Sequence, residues 1–298
     1  MDLRKSGMIA LVGRPNVGKS TLTNALVGEK IAIVTNKPQT TRNRICAIVN
    51  REPTQFVFVD TPGLHRARTK LGEYMVDVIR QSVADVDAVC LLVEPVPNVG
   101  GPEAELIQRI RKLGVPAVLV INKTDTVKKE DLLAVIAAYA DELDWAAILP
   151  MCAKEGEGVE DLLDILEPFI PEGHRLFPED MVTDQPEMQV MAEILREKLL
   201  LCLDKEIPHG VAVEITRFTE REESEIIGVH ATIFCEKQSH KGIIIGKEGA
   251  MLRKISTMAR QDMERFMGAK IYLETWVKVK ENWRDNMNLV HNFGYKDE

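Results

Sequence analysis

The hydrophobic pattern of the first 170 residues alternates between short apolar runs and longer amphipathic stretches. Short apolar runs bounded by turn residues are typical of buried strands, and apolar residues three and four positions apart indicate helices. The predicted strands are 8–12, 45–49, 55–60, 88–93, 117–121 and 146–150. The predicted helices are 19–27, 71–84, 103–113, 130–142 and 159–168. This alternation predicts an α/β fold with a mostly parallel sheet and helices on both faces.

The hydrophobic pattern changes after residue 170. A chain of 298 residues is also longer than most domains that fold around a single hydrophobic core. Residues 171–186 are rich in Pro, Asp and Glu and lack periodicity, which predicts a linker. The elements predicted next are a helix over 187–203, strands over 211–215 and 227–233, and a helix after Gly249 with Leu252, Ile255, Ala259, Met263 and Phe266 facing inward. We therefore expect two domains, residues 1–170 and 187–298.

A glycine-rich loop joins the first predicted strand to the first predicted helix, because residues 13–20 read Gly-Arg-Pro-Asn-Val-Gly-Lys-Ser. Such a P-loop turns its backbone N–H groups around a polyphosphate, and the helix behind it adds unpaired donors. Lys19 is expected to reach the β and γ phosphates and Ser20 to give a hydroxyl to Mg²⁺. The predicted nucleotide contacts are Gly13, Asn16, Val17, Gly18, Lys19, Ser20 and Thr21. The side-chain oxygen of Asn16 either helps to hold a monovalent cation such as K⁺ or makes a hydrogen bond within the loop, and the sequence leaves both open.

Two downstream segments are expected to complete the Mg²⁺ and γ-phosphate site. Asp60 ends a predicted strand and starts an Asp-Thr-Pro-Gly turn, which places its carboxylate to hold Mg²⁺ and the N–H of Gly63 near the γ-phosphate. The polar segment 38–44 is typical of a switch loop, in which we favour Thr41 over Thr40 without fixing the register. The predicted Mg²⁺ ligands are Ser20, Thr41 and Asp60, and the predicted catalytic residues are Lys19, Thr41 and Gly63.

The predicted strand 117–121 runs into residues 122–125, which read Asn-Lys-Thr-Asp and match the Asn-Lys-X-Asp pattern of guanine-nucleotide sites. Asp125 is placed to accept hydrogen bonds from N1–H and the 2-amino group of guanine. Adenine lacks that amine and would leave the carboxylate unpaired, so such a site rejects it. We expect Asn122 to tie the base edge to the loop and the stem of Lys123 to cover the base plane.

A weaker guanine signal follows the predicted strand 146–150, where GTPases usually carry Ser-Ala-Lys. The predicted contacts here are Cys152, Ala153 and Lys154, whose backbone N–H groups are expected to bind guanine O6. A backbone contact tolerates Cys152 in place of serine, but we expect the support that a serine hydroxyl gives to the loop to be lost.

Together these motifs predict in-line hydrolysis of GTP to GDP and phosphate, driven by positioning and charge stabilisation. Leu64 stands where Ras-like GTPases carry a glutamine that orients the attacking water. Intrinsic turnover should therefore be slow, on the order of 10⁻⁴–10⁻² s⁻¹.

Residues 246–249 read Gly-Lys-Glu-Gly and match the Gly-X-X-Gly loop of KH domains, whose glycines let single-stranded nucleic acid approach closely. The α-β-β-α-α-β-like order around them favours an α+β KH domain of type II over a plain helix N-terminus. The chain as a whole is acidic, at −8, but residues 240–280 hold nine Lys or Arg against four Asp or Glu, a local excess of five positive charges. The predicted RNA contacts are Lys241, Ile245, Gly246, Lys247, Glu248, Gly249, Arg253 and Lys254.

Composition also limits cofactors and location. The five cysteines show no paired spacing and no secretory signal is seen, so we expect reduced thiols in a cytoplasm. Apolar runs stay short of 18 residues, and the six histidines form no ligand-spaced cluster. We therefore expect no membrane-spanning helix and no structural metal beyond nucleotide-bound Mg²⁺.

The chain resembles the Era family of bacterial ribosome-assembly GTPases over nearly its whole length. The resemblance rests on one C-terminal KH domain and on residues 13–20, 39–42, 60–65, 122–125, 177–180 and 273–280. It implies a GTP-controlled switch whose KH domain binds the 3′ end of 16S ribosomal RNA and assists maturation of the 30S subunit, with RNA or the ribosome stimulating hydrolysis. It also implies a monomeric cytoplasmic protein, which in some members is peripherally associated with the cell membrane.

Two other functions stay open. One is an RNA-binding module whose nucleotide is mainly structural and turns over negligibly, and the other is a GTPase acting at membranes through its basic C-terminal helix. The intact set of Lys19, Ser20, Thr41 and Asp60 favours the switch.

Overall fold

The structure, a computed structural model, describes residues 4–37, 39–63, 69–82, 85–204, 207–221 and 224–295. These residues belong to two compact units, each with its own hydrophobic core. The first unit draws on Met1–Ala32, Thr41–Arg66 and Met75–Asp184. The second unit draws on Ile33–Thr40, Ala67–Tyr74 and Gln185–Glu298.

The first unit is built around a six-stranded sheet. Its strands are β1 Lys5–Gly13, β2 Ile45–Arg51, β3 Thr54–Asp60, β4 Ala88–Val93, β5 Ala117–Ile121 and β6 Ala147–Pro150. The helices of this half of the chain are α1 Lys19–Val27, α2 Lys70–Ser82, α3 Gly101–Leu113, α4 Lys129–Ala140 and α5 Val159–Leu166, and α2 gives residues to both units. The strand order is β2-β3-β1-β4-β5-β6, with β2 and β3 antiparallel and the other pairs parallel. The predicted α/β fold with a mostly parallel sheet is confirmed.

Both faces of this sheet are buried. Alternate residues enter different cores, so that Leu11 and Cys90 pack in one and Ala10 and Leu91 in the other. Strands buried on both faces have continuous apolar sequences, which is why they were predictable. The main difference is that β1 begins at Lys5 rather than at residue 8, because its backbone already pairs with β3 there.

Residues 171–184, predicted as part of a linker, belong to the first unit. The N–H of Ser6 donates to the carbonyl of Pro171 at 3.1 Å, and the N–H of Ile48 donates to the carbonyl of Val182 at 2.9 Å. The side-chain oxygen of Gln55 accepts from the backbone N–H groups of residues 176 and 177 at 2.9 and 3.0 Å. This segment is thus fixed by backbone hydrogen bonds that leave no mark on hydrophobic periodicity, and the exact domain limits stay a prediction.

The second unit is an α+β domain. Its main elements are α6 Glu187–Cys202, β7 Ala212–Arg221, β8 Ser224–Cys235, α7 Gln238–Ile245, α8 Ala250–Met267, β9 Lys270–Val279 and α9 Met287–Asn292. The strand order is β7-β8-β9, with β7 and β8 antiparallel and β8 and β9 parallel. Apolar side chains of α6, α8 and all three strands share one core, including Leu195, Val229 and Ile255. The α-β-β-α-α-β order that was predicted is therefore present, with strands longer than their apolar runs.

Residues 33–40 are part of the second unit, although they precede Thr41 in sequence. The N–H of Val34 donates to a carboxylate oxygen of Glu197 on α6 at 3.0 Å, and the guanidinium of Arg196 donates to the carbonyl of Thr40. The predicted switch segment is thus divided between the two units at Thr40. Within the described ranges, no helix is long and apolar enough to cross a membrane.

Candidate functional site

The glycine-rich loop lies between β1 and α1, as its sequence predicts. Gly18 immediately precedes α1 with φ 104° and ψ 20°, a left-handed conformation that favours glycine. A Cβ placed on Gly18 would lie 2.1 Å from Nδ2 of Asn122, so the absence of a side chain allows the loop and the guanine motif to meet. Because glycine cannot cap the helix with a side chain, the first N–H groups of α1 remain suited to an anion.

Lys19 is buried in this loop. Its Nζ donates to the carbonyl oxygens of Gly13 and Arg14 at 3.1 and 3.0 Å. Burial lowers the pKa of Lys19 to about 8, and the charge of Asp60 acts in the opposite direction. A polyphosphate would supply the negative charge that this buried ammonium lacks.

The predicted Mg²⁺ ligands Ser20, Thr41 and Asp60 form one cluster. The hydroxyl of Ser20 donates to Oδ2 of Asp60 at 2.7 Å and lies 2.8 Å from the hydroxyl of Thr41. Thr40, the alternative to Thr41, instead donates its hydroxyl to the carbonyl of Lys37 at 2.6 Å. Only Thr41 of the two threonines therefore lies with Ser20 and Asp60.

Asp60 is fully buried, and its second oxygen, Oδ1, has no hydrogen-bond partner. Burial raises the pKa of Asp60 to about 6, against the opposing effects of the Lys19 charge and the hydrogen bond from Ser20. An unpartnered buried carboxylate oxygen beside two hydroxyls is the kind of oxygen donor set that Mg²⁺ takes in phosphate sites. The three residues therefore fit a magnesium ion.

Gly63 lies close to the phosphate loop, because a Cβ built on it would be 2.8 Å from the backbone of Pro15. This places the Asp-Thr-Pro-Gly turn at the loop, as its sequence predicts. Leu64, the position at which a water-orienting glutamine is expected, lies outside the described residues.

Asn122 joins the two nucleotide motifs. Its Nδ2 donates to the carbonyl of Val17 at 2.9 Å, and its Oδ1 accepts from the N–H of Ala153 at 3.0 Å. The phosphate loop, the Asn-Lys-X-Asp motif and residues 152–154 are therefore linked through one buried side chain. Asp125 is exposed and open to a ligand.

Lys123 has a left-handed backbone, with φ 63°, and its Nζ donates to Glu94 at 2.7 Å. Sequence reasoning missed Glu94. Its position directly after β4 could have predicted that it lies near the nucleotide motifs, because the carboxyl ends of parallel strands meet at one edge of the sheet.

The prediction that Cys152 removes side-chain support from its loop is wrong. Its thiol donates to Oδ1 of Asp125 at 3.4 Å, which is within the longer range of sulfur hydrogen bonds. A thiol is a weak donor, so the support is retained in weaker form. Lys154 is exposed and pairs with Glu155 at 2.9 Å.

The Gly-X-X-Gly loop connects α7 to α8. Gly246 ends α7 with φ 73° and ψ 176°, and a Cβ on it would lie 2.7 Å from Cβ of Met251. Lys247 and Glu248 between the glycines are exposed, as are Arg253 and Lys254 on the first turns of α8. Of the other predicted RNA contacts, Lys241 and Ile245 on α7 are partly exposed. The loop is thus open to a ligand and lined by cations.

Family models match both halves of the chain. A family model described as 50S ribosome-binding GTPase matches residues 8–123, and a model described as KH domain matches residues 206–284. The GTPase Era of Ruminiclostridium cellulolyticum is 49% identical over 292 residues, which cover 98% of each chain. The GTPase Era of Clostridioides difficile is 47% identical over 295 residues, which cover 99% of each chain.

Two solved structures share the fold over nearly the whole chain. A variant of Aquifex aeolicus Era bound to GDP and AlF₄⁻ has a TM-score of 0.94 and 35% identity, covering 98% of this chain and 100% of that one. Era in complex with MgGDPNP and nucleotides 1506–1542 of 16S ribosomal RNA has a TM-score of 0.93 and 35% identity, covering 99% and 100%. This chain therefore belongs to the Era family of GTPases.

Proposed function

We propose that this GTPase is a switch in which binding and hydrolysis of GTP by the first unit control the binding of ribosomal RNA by the KH domain. The observation that carries the proposal is the cluster of Ser20, Thr41 and Asp60 at the phosphate loop. A protein that held its nucleotide only for structure would have no need for a threonine from the switch segment at this cluster.

In this proposal Ser20, Thr41 and Asp60 hold Mg²⁺, directly or through water. The ion, when bound, neutralises charge on the β and γ phosphates. The ammonium of Lys19 neutralises further charge, and the N–H of Gly63 binds a γ-phosphate oxygen. A water then attacks the γ-phosphorus in line, the bond to the bridging oxygen breaks, and GDP and phosphate leave.

The guanine base is proposed to lie against Asn122, Lys123 and Asp125, with the backbone of residues 152–154 at O6. Support comes from the exposure of Asp125 and from the hydrogen bonds through which Asn122 holds both loops. Asp125 accepts from the two N–H groups that distinguish guanine from adenine.

The test of this base assignment is Asp125→Asn. An amide offers one acceptor and one donor, which suits xanthine, whose 2-oxo group accepts where guanine donates. We expect GDP affinity to fall at least about tenfold and xanthosine diphosphate to become the better ligand, measured by calorimetry. Asp131→Asn, the same change at an exposed position of α4, is the matched control. Unchanged GDP affinity in Asp125→Asn would contradict the assignment.

The proposed RNA is the 3′ end of 16S ribosomal RNA, and the proposed role is assembly of the 30S subunit. Support comes from the related Era that was solved with nucleotides 1506–1542 of that RNA, and from the exposed Gly-X-X-Gly loop. The cations at Lys241, Lys247, Arg253 and Lys254 are suited to its phosphates.

Three finer features belong to the same proposal. Asn16, which has a left-handed φ of 66°, helps to hold K⁺ at the phosphates, and faster turnover in KCl than in NaCl would support this. The protein acts as a monomer, which light scattering would test.

It works in the cytoplasm with peripheral contact to the membrane, which would be supported by salt-sensitive liposome binding.

A further inference from the structure

The sheet of the second unit has one face covered by helices and one face that is open along β9. Ile271 and Val277 of β9 are buried in the core with α6 and α8. Side chains alternate across a strand, so the even-numbered residues of β9 lie on the other face. That face carries Lys270, Tyr272, Glu274, Trp276 and Lys278, and Lys280 follows directly after the strand.

Two aromatic rings are exposed on this open face. Tyr272 and Trp276 are 58% and 61% exposed, although aromatic residues of this size are usually largely buried. Tyr272 lies opposite Gly228 on β8, which has no side chain to cover the ring. Four residues along a strand span about 13 Å, far more than the ~3.4 Å between stacked bases, so each ring would take a separate base.

The carboxylate of Glu274, which lies between the two rings along the strand, contacts two neighbouring side chains. Glu274 accepts from the hydroxyl of Tyr272 at 2.9 Å, and its other oxygen lies 3.0 Å from Nδ1 of His230 on β8. These contacts hold the Tyr272 ring in place and reduce the repulsion that a free carboxylate would give to a phosphate.

The charge on this face is suited to a polyanion. Lys270 and Lys278 are exposed at either end of the aromatic pair, and Lys280 and Arg217 add exposed cations on the same strand line and on β7. Aromatic rings alternating with cations along an open sheet are typical of single-stranded RNA binding, because bases stack on the rings and phosphates meet the cations.

The Gly-X-X-Gly loop directly precedes the helix that packs against β9. β9 is the edge strand of its sheet, and α8, which packs against its covered face, begins directly after the loop. A Gly-X-X-Gly loop clamps about four nucleotides. The RNA bound by the related Era spans nucleotides 1506–1542, which is far more than that loop holds.

We propose that the open face of β9 is a second binding surface for single-stranded RNA, continuous with the Gly-X-X-Gly loop. Tyr272 and Trp276 stack bases, Lys270 and Lys278 bind phosphates, and Glu274 positions Tyr272. This inference rests on the RNA-binding role proposed above.

The test compares one long RNA with a set of short RNAs by fluorescence anisotropy with the full chain. The long RNA matches nucleotides 1506–1542, and the short RNAs are tetranucleotides taken along it. Changing Tyr272 and Trp276 together to Ala should weaken binding of the long RNA about tenfold or more and leave the best tetranucleotide unchanged. Trp276→Phe, which keeps a ring, should restore most of the affinity lost in Trp276→Ala. Leu133→Ala, at an exposed apolar residue of α4, is the control.

A second readout does not depend on affinity. The long RNA should quench tryptophan fluorescence of the wild type, and the quench should shrink in Trp276→Phe, since Trp283 is buried and Trp145 belongs to the first unit. If the double Ala variant binds the long RNA within twofold of the wild type, the proposed RNA-binding surface is wrong. The open face would then be a candidate site for a protein partner instead. If Gly246→Asp abolishes all RNA binding in both backgrounds, the surface acts only as an extension of the loop, as proposed. If the wild type itself does not bind the long RNA, the proposed function fails, and this surface fails with it.

Discussion

At the scale of single residues, the nucleotide site depends on a few positions where one atom decides the geometry. Gly18 and Asn122 meet only because glycine lacks a Cβ, and Asn122 then bonds to Val17 and Ala153. The motif residues could be predicted from sequence because each lies in a short contiguous pattern. The thiol contact from Cys152 to Asp125 was not predicted, because it joins two loops that are distant in sequence.

Gly18→Ala should weaken GDP binding at least about tenfold. The new Cβ would lie 2.1 Å from Nδ2 of Asn122, and alanine is strained at φ 104°, which by itself costs about 1–3 kcal/mol. Gly28→Ala is the matched control, because it also has a positive φ, of 74°, but nothing lies within 4 Å of its Cβ. Calorimetric titration with GDP compares the two, and equal affinities would show that the contact with Asn122 is unimportant.

Cys152→Ala should reduce GDP affinity by about two- to tenfold, the effect of losing one hydrogen bond from a weak donor. The thiol of Cys152 donates to Asp125, which is proposed to bind the base. Cys152→Ser keeps a donor, and a stronger one, so its affinity should equal or exceed that of the wild type. If alanine and serine bind GDP equally well, the thiol gives the loop no support.

At the scale of elements, α6 combines an apolar stripe with buried charges. Arg196, Glu197 and Lys198 are buried, although charged side chains are rarely buried in proteins. Lys198 lies 2.5 Å from both Glu197 and Asp262 of α8, which joins the two helices. Hydrophobic periodicity cannot reveal such residues, because the partners that make burial tolerable come from other segments.

Lys198→Ala should reduce the free energy of unfolding by about 3 kcal/mol, because it leaves two carboxylates next to each other in a buried position. The comparison is Arg109→Ala, which breaks the exposed pair of Arg109 and Glu105 on α3 and should cost less than about 1 kcal/mol. Urea unfolding measures both. Similar small losses in the two variants would mean that the buried pairs do not stabilise the second unit.

At the scale of the whole molecule, the chain carries its nucleotide motifs in one unit and its Gly-X-X-Gly loop in the other. The fold class could be predicted from sequence, and both glycine loops lie where their motifs predict. The membership of residues 33–40 and 171–184 could not, because backbone and side-chain hydrogen bonds fix it rather than apolar periodicity. Residues 33–40 run directly into Thr41 and are held by Arg196 and Glu197 of α6.

The most direct test of the proposed switch is single-turnover hydrolysis of GTP, with and without an RNA matching the 3′ end of 16S ribosomal RNA. The wild type should hydrolyse GTP at least about tenfold faster with this RNA than with a scrambled one, well within what activating partners give to GTPases. A variant carrying Gly246→Asp and Lys247→Asp should lose the response and keep its basal rate, whereas Lys112→Asp, at an exposed lysine of α3, should keep both. If the RNA binds and the rate of hydrolysis does not change, the two units act separately and the switch is contradicted.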